Sequence, residues 1–501
     1  MTFATVMVEQ SLNCAVCGGA TRTKLLSGAI VEQRLYESTA RRITSMIEGG
    51  TLRVGDRVPS VRHFSVQQKV SVSTVLQAYR ALEDAGWIEA RPQSGYYVRR
   101  TARTLPPEPE MSQPSLEPMS VAVSDLVMQF YRAAQRPDIV QMGAAIGDTA
   151  SFPSRQLNRA VSKVMRECRD AGNAYDFPPG NHQLRVQIAK RAMETGCALT
   201  PDDIVITTGC TEALNLCLRA VAKPGDTILL ESPTYYSALQ IIESLGLCAL
   251  EVPTHPRDGI SLEALEYVLE HEKIAACLLM PSLNNPLGSC MPAENRKRLV
   301  QLLAQREIPL IEDDVWGDTL FHAPRLPVAK SYDENGLVLL CSSFSKTIAP
   351  GYRVGWVAPG RFRQQIEYLK LVGSMANPSL PSLAIAELLE NGGYDHHLRT
   401  IRRTTSERVQ RTVELLEEYF PEGTRVTRPC GGTVVWIELP SLVDTTHLFQ
   451  TALREGICIA PGAMFSGKGK YNNCLRLYCG HHDSATTERT IQKLAQLIDR
   501  L

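Results

Sequence analysis

The segment that follows Arg100 reads TARTLPPEPEMSQPSLEPMS, and its prolines at 106, 107, 109, 114 and 118 restrict the fold more than any other stretch of the chain. Each proline fixes φ and removes an N–H donor, so neither a continuous helix nor a central strand can pass through this stretch. It predicts a semi-rigid linker over residues 101–120. The chain then divides into an extension over 1–34, a small domain over 35–100 and a large one over 121–501. At about 100–200 residues per folding unit, 501 residues allow such a division and exclude a lone small module.

Charge supports the division. The whole chain is neutral, with 53 Lys and Arg against 53 Asp and Glu. Residues 35–100 alone carry a surplus of basic side chains, which points to a polyanionic partner for that block. Within it, Leu35–Glu48, a segment from Pro59-Ser60 to Gln68, and Ser73–Ala85 have helical spacing; Gly49-Gly50 and Gly86 stop the first and third. Trp87–Ala90 and Tyr96–Val98 read as two short strands around a turn at Arg91–Gly95. Three helices and a hairpin make a winged helix-turn-helix. A helix in the major groove needs short polar side chains at its start, and Ser71, Ser73 and Thr74 are such residues. Arg62 and Arg91, the latter near the Gly95 turn, are placed to grip phosphate or the minor groove. The same serines also suit a purely structural helix cap, so their chemistry alone leaves both roles open.

The large part alternates Ile-, Val- and Leu-rich runs with helical segments: 204–206, 227–230, 275–280, 308–311 and 337–341. This predicts a mostly parallel sheet covered on both faces, with ligands bound outside the strand carboxyl ends. The residues just after those runs form a set. Thr207-Thr208-Gly209-Cys210-Thr211 opens a helix whose free N–H groups suit a phosphate. Asn284-Asn285-Pro286, Glu312-Asp313-Asp314 and Ser342-Ser343-Phe344-Ser345-Lys346 follow three other runs, with Arg353 seven residues beyond the lysine. Each has a task if the ligand is pyridoxal 5′-phosphate. Lys346 forms an imine with the aldehyde once its pKa is lowered. Asp313 pairs with the pyridine nitrogen, Asn285 bonds the ring 3′-oxygen, and Tyr235 stacks on the ring. Cys210 and Thr211 N–H, the Ser343 hydroxyl and Arg353 hold the phosphate. The Ser-x-x-Lys also occurs in penicillin-binding sites, but no Ser-Asp-Asn or Lys-Thr-Gly triplet follows it.

Two resemblances join these readings. LRVGDRVPSVRHF…VSVSTVLQAYRALEDAGWIEARPQSGYYV resembles the DNA-binding domain of the GntR family, which implies DNA contacts at Arg62, Ser73, Thr74 and Gly95; that family's arginine at the start of the recognition helix falls on Val72. SSFSKTIAPGYRVGW, with NNPLG and IEDDVW, is similar to fold-type I aminotransferases over roughly residues 120–501. Together they resemble the MocR subfamily of transcriptional regulators. The implied fold is an N-terminal winged helix-turn-helix (α+β) plus a large α/β fold-type I aminotransferase-like domain, with a smaller C-terminal α+β subdomain from about 375. The resemblance further implies that Arg476 clamps a substrate α-carboxylate and that Tyr175 reaches the phosphate of a neighbouring subunit, hence a homodimer. It departs at Trp316, where relatives place the tyrosine that donates to the 3′-oxygen; the expected results are a raised imine pKa and slow transamination.

The expected function is a DNA-binding transcriptional regulator whose large domain senses pyridoxal phosphate, an amino acid or an amine. A working aminotransferase with a DNA-binding head is the alternative, and a scaffold that has lost the cofactor the third. Several classes are set aside. No stretch approaches the ~20 apolar residues of a membrane span, and no Lys or Arg precedes Arg22 to begin a signal peptide, so a cytoplasmic protein is expected. The fourteen cysteines show no disulfide framework. Cys14-x-x-Cys17 is half a zinc knuckle with no second pair nearby, and no metal is expected.

Overall fold

The computed structural model describes residues 36, 38–47, 51–53, 55–84, 86–91, 94–98, 105–147, 149–170, 173–321, 325–481 and 483–501. The expected extension over 1–34, including Cys14 and Cys17, lies outside them. The chain forms two compact units, Met1–Leu105 and Pro106–Leu501.

The first unit holds helix α1 (residues 38–47), α2 (Val61–Gln68), α3 (Val72–Asp84) and a hairpin of β1 (Ile88–Arg91) and β2 (Gly95–Val98). Ser60 caps α2 by accepting the His63 N–H, and Lys69 ends it in the left-handed conformation. Ser71 Oγ accepts the Thr74 N–H at 3.1 Å and so caps α3. The buried faces meet in one core of Ile43, Val58, Phe64, Val75, Tyr79, Leu82, Ile88 and Val98. Tyr79 donates to the Pro59 carbonyl at 2.6 Å, tying α3 to the entry of α2. The hairpin pairs Ile88 with Val98 and Arg91 with Gly95, whose φ of +105° only glycine adopts without strain.

In the second unit the strands are β3 (Met119–Ser120), β4 (Val140–Gln141), β5 (Val205–Thr207), β6 (Thr227–Ser232), β7 (Cys248–His255), β8 (Gly259–Ile260), β9 (Ala276–Leu279), β10 (Leu310–Asp313), β11 (Val338–Ser343) and β12 (Gly355–Ala358). The main sheet runs β3-β7-β6-β9-β10-β11-β12-β5, with β8 on β7. Neighbours from β7 to β11 pair in parallel; β12 is antiparallel to both β11 and β5. The central strands β9 and β10 are buried along their whole length and β6 from Ile228 onward, as the near-continuous apolar runs require. A second sheet orders β13 (Arg425–Val426), β14 (Val434–Glu438), β17 (Cys474–Tyr478) and β16 (Ala460–Pro461), and β15 (Ile457–Cys458) pairs with β4. No helix among the described residues is long and apolar enough to cross a membrane.

The proline-rich segment departs from expectation. It is docked on the second unit from Pro106 onward, and residues 101–104 lie outside the described set. Pro106 and Pro109 are buried, the Pro107 carbonyl accepts the Val426 N–H at 2.9 Å, and Ser112 Oγ donates to the Ser232 carbonyl while accepting the Thr254 N–H. Glu108 pairs with Arg257, and Met119 then pairs with Ala249 as an edge strand. Proline excludes helix and central strand but not extended packing along a surface, so the same residues that read as a linker form a strap.

Candidate functional site

The carboxyl ends of β5, β6, β9, β10 and β11 converge on a cavity of about 290 Å³. At β5 the chain turns through Gly209, at φ +83°, into a helix over Cys210–Val221 that has no side-chain cap, so the N–H groups of its first turn stay free for an anion. A Cβ on Gly209 would stand 2.4 Å from Arg353 Nη2, and one on Gly355 would stand 2.5 Å from the Gly209 carbonyl carbon. These two glycines let the Arg353 guanidinium lie against the helix start, where it donates to the Thr208 carbonyl at 3.2 Å. Among the described residues no carboxylate forms an ion pair with Arg353. Ser343, at the end of β11, is buried, and its Oγ accepts the Ser345 N–H at 3.4 Å.

Asp313 ends β10 and is buried. Its Oδ1 accepts the Val315 N–H at 3.0 Å and the Cys210 thiol at 3.5 Å, and burial raises its carboxyl to about 6. It therefore stays mostly ionised at neutral pH and suits a protonated ring nitrogen. Lys346, three residues beyond β11, lies on the cavity wall with its Nζ donating to the Ala145 carbonyl at 2.6 Å and 4.8 Å above the Trp316 ring. Burial, followed by the Arg476 charge, lowers its amine to about 8, with Asp313 opposing and Arg353 assisting. A neutral amine, the nucleophilic form, is thus accessible near physiological pH.

Arg476 on β17 is fully buried. Nη1 donates to Asn285 Oδ1 at 2.9 Å, Nη2 donates to the Gly143 carbonyl at 2.5 Å, and Nε has no partner. Its guanidinium also faces the Phe465 ring at 5.1 Å and the Tyr236 ring at 5.5 Å. A buried cation held by neutral acceptors, with one N–H unpartnered, suits an anionic group. The exposed Arg353 guanidinium, an uncapped helix start, a buried carboxylate and a lysine of lowered pKa fit a ligand with a phosphate, a ring nitrogen and an aldehyde, and leave the buried Arg476 for a carboxylate. The residues present therefore fit pyridoxal phosphate.

Of the residues expected from sequence, Lys346, Asp313, Asn285, Tyr235, Cys210, Thr211, Ser343, Arg353 and Arg476 all line this one cavity. Tyr175 does not: it is 71% exposed, with its ring 5.4 Å from that of Phe177. Ala145, Tyr131 and Tyr236 also line the cavity and were not anticipated. Ala145 and Gly143 act through backbone carbonyls, which leave no mark in a sequence. Trp316 is buried in the wall. No group of three or more metal-ligating side chains occurs among the described residues.

In the first unit Arg62, Ser71 and Ser73 are exposed. Thr74 is 7% exposed and turned inward, its hydroxyl 2.7 Å from Ser71 Oγ, which also meets Ser73 Oγ at 2.7 Å. This places Thr74 in the helix cap as much as on the recognition face. Arg91 pairs with Glu89 at 2.8 Å and lies 4.4 Å over the Tyr97 ring. Arg57, which the sequence did not single out, lies 3.3 Å from where a Gly95 Cβ would stand, so Gly95 gives that guanidinium room beside the hairpin turn. Val72 is 49% exposed at the start of α3.

Comparison with known proteins gives two matches along the chain. Residues 140–494 match the aminotransferase class I and II family, and residues 35–98 match the gntR family of bacterial regulatory proteins. An HTH-type transcriptional regulator of Escherichia coli, YjiR, is 39% identical over 93% of this chain and 99% of its own length; a second, YdcR, is 38% identical over 92% and 98%. The 2-aminoadipate transaminase of Thermus thermophilus is 31% identical over 75% of this chain and 94% of its own. Among solved structures, the α-aminoadipate aminotransferase LysN of Thermus thermophilus, bound to N-(5′-phosphopyridoxyl)-L-leucine, superposes with a TM-score of 0.68 at 28% identity, covering 76% of this chain and 99% of that one. The kynurenine aminotransferase of Pyrococcus horikoshii gives 0.70 at 27%, covering 78% and 96%.

Proposed function

This chain belongs to the aminotransferase class I and II family and carries a gntR-family regulatory domain at its head, and from that premise we propose that it is a cytoplasmic, DNA-binding transcriptional regulator whose large unit binds pyridoxal 5′-phosphate and responds to it or to an amino compound. The observation that carries the reading is the cavity itself. Lys346, with its amine lowered to about 8, shares one enclosure with Asp313, Asn285 and the two unpaired guanidinium groups of Arg353 and Arg476. When bound, pyridoxal phosphate supplies an aldehyde to an amine and an electron-withdrawing protonated ring. Asp313 holds the proton on the ring nitrogen; the Cys210 helix start, Ser343 and Arg353 hold the phosphate; Asn285 holds the ring oxygen. Arg476, already fixed by Asn285 and Gly143, orients the carboxylate of an incoming amino acid. To regulate, the ligand must bind two arrangements of the protein with different affinity.

In the first unit, the α3 start at Ser71 and Ser73 reads bases, and Arg62 and Arg91 hold phosphates. Tyr175 belongs to a homodimer in which it approaches the partner's phosphate site; its 71% exposure in a single chain supports that placement. The intact set of Lys346, Asp313, Asn285, Arg353 and Arg476 also favours a second reading, transaminase turnover by the same cavity.

The test uses the whole purified protein with pyridoxal phosphate. The expected results are visible absorbance, a borohydride-fixed label on the Lys346 peptide, and DNA binding that weakens steeply with salt. Arg62→Ala is expected to weaken all DNA sequences alike and lower the salt slope by about one. A colourless protein with no label on Lys346 overturns the cofactor reading, and unchanged DNA binding by Arg62→Ala overturns the assignment of that contact. Rapid release of an oxoacid from an amino acid selects the enzyme reading.

A further inference from the structure

Outside the cavity, one fully buried guanidinium forms no ion pair among the described residues. Arg296 is fully buried, and its hydrogen bonds go to the carbonyls of Met291, Pro327 and Pro281, to Ser282 Oγ, and to Cys290 Sγ at 3.4 Å. No carboxylate forms an ion pair with it among the described residues. A buried guanidinium bonded to neutral acceptors alone carries a desolvation cost that an anion in contact would offset. In direct contact, the group able to become that anion is the Cys290 sulfur. Cys290 has a second neighbour, the Cys430 thiol; both sulfurs are free. Cys430 is exposed and Cys290 partly so.

The two cysteines sit on loops already in contact. Cys290 closes the turn that carries Asn285, bridging back to Ser282. Cys430 lies between Pro429 and Gly431. A Cβ on Gly288 would stand 2.5 Å from Pro429 Cβ, and Gly431 bridges Leu320, while the Cys430 carbonyl accepts the Phe321 N–H at 2.9 Å. Backbone contacts thus hold the loop of Cys430 against the turn of Cys290.

We infer that Cys290 and Cys430 form a peroxide-reactive dithiol, with Cys290 the attacking thiolate and Cys430 the resolving thiol. The Cys290 thiolate attacks one peroxide oxygen, the O–O bond breaks, and with one proton taken up a water leaves and a sulfenic acid remains. The Cys430 thiol then attacks that sulfur, expelling a second water and closing the disulfide. The balance is two thiols and one hydrogen peroxide giving one disulfide and two waters, with two electrons passing from sulfur to oxygen. The product ties the turn bearing Asn285 to the loop before β14, and it removes the negative charge that faces Arg296. The Cys430 hydrogen bond first, and then the Arg296 charge against the opposing effect of burial, lower the Cys290 thiol to about 6. The buried thiols of Cys197, Cys277, Cys458 and Cys479 are instead pushed up.

The test is made on the reduced full-length protein with N-acetylcysteine as internal reference. Iodoacetamide labelling of Cys290, read by peptide mass, is expected to change by only about 10% between pH 7 and 9, whereas an ordinary thiol with a pKa of about 8.5 rises about 25-fold over that range. One equivalent of hydrogen peroxide is expected to link the Cys290 and Cys430 peptides with loss of two hydrogens, reversibly with dithiothreitol. In Cys430→Ser, Cys290 is expected to stop at the sulfenic acid and react with dimedone. Labelling of Cys290 that climbs with pH like the reference overturns the inference. So does peroxide treatment of the native protein that leaves the two peptides unlinked, whatever the variant does.

Discussion

Removing the charge of Arg476 should raise the pKa of Lys346, and removing that of Asp313 should lower it. At pH 7 an amine with a midpoint of about 8 is about 9% neutral, whereas one at the ordinary 10.5 is about 0.03% neutral, a difference of roughly 300-fold in the nucleophilic form. Trace acetylation of the cofactor-free protein with acetic anhydride, counted at the Lys346 peptide, reads that fraction without requiring the cofactor to bind. In the native protein the rate is expected to rise about tenfold from pH 6 to 7 and to flatten above 8. Arg476→Met should move the midpoint up, because the guanidinium disfavours a second cation nearby. Asp313→Asn should move it down, because the lost carboxylate stabilises the ammonium. A native rate that still climbs tenfold per unit between pH 9 and 10, or two variants that shift in the same direction, refutes the electrostatic account.

Three other outcomes follow from the same geometry. Trp316→Tyr is expected to lower the midpoint of the bound cofactor's visible pH titration by restoring a phenol donor toward the ring oxygen; an unmoved midpoint counts against that role. Gly209→Ala places a Cβ at φ +83° and 2.4 Å from Arg353 Nη2, so it should weaken pyridoxal phosphate binding at least tenfold in an absorbance titration and lower the melting temperature. Glu231 is buried and bonded to the Met280 N–H, and burial raises its carboxyl from 4.5 to about 7. A raised folded pKa means stability present below about 4.5 is lost as pH rises through 7, so Glu231→Gln should gain on the native protein by up to about 3 kcal/mol at pH 8.5 and little at pH 5 in urea unfolding.

The parts of the site carried by strand ends were legible because β-rich runs announce where a parallel sheet presents its carboxyl edge, and Cys210, Asn285, Asp313 and Lys346 follow those runs directly. Arg476 needed a resemblance, since it lies within a strand of the second sheet and nothing in its spacing distinguishes it. Gly143 and Ala145 were invisible because their carbonyls, not their side chains, meet Arg476 and Lys346. Thr74 was read as a base contact from its type and position, whereas its burial depends on how α3 packs. The proline-rich stretch was misplaced for a different reason. Composition says what backbone hydrogen bonds a segment cannot make, but not whether a neighbouring surface will accept it extended.

That strap changes the mechanics of the molecule. Residues 106–120 do not hang free: the Pro107 carbonyl, Ser112 and Met119 are hydrogen-bonded to Val426, to Ser232 and Thr254, and to the β7 edge. The mooring point is Ser112 on the Ser232 carbonyl, three positions ahead of Tyr235 in the cavity wall. Any occupant that displaces this strand end therefore also strains the hydrogen bonds by which the strap is held to the second unit.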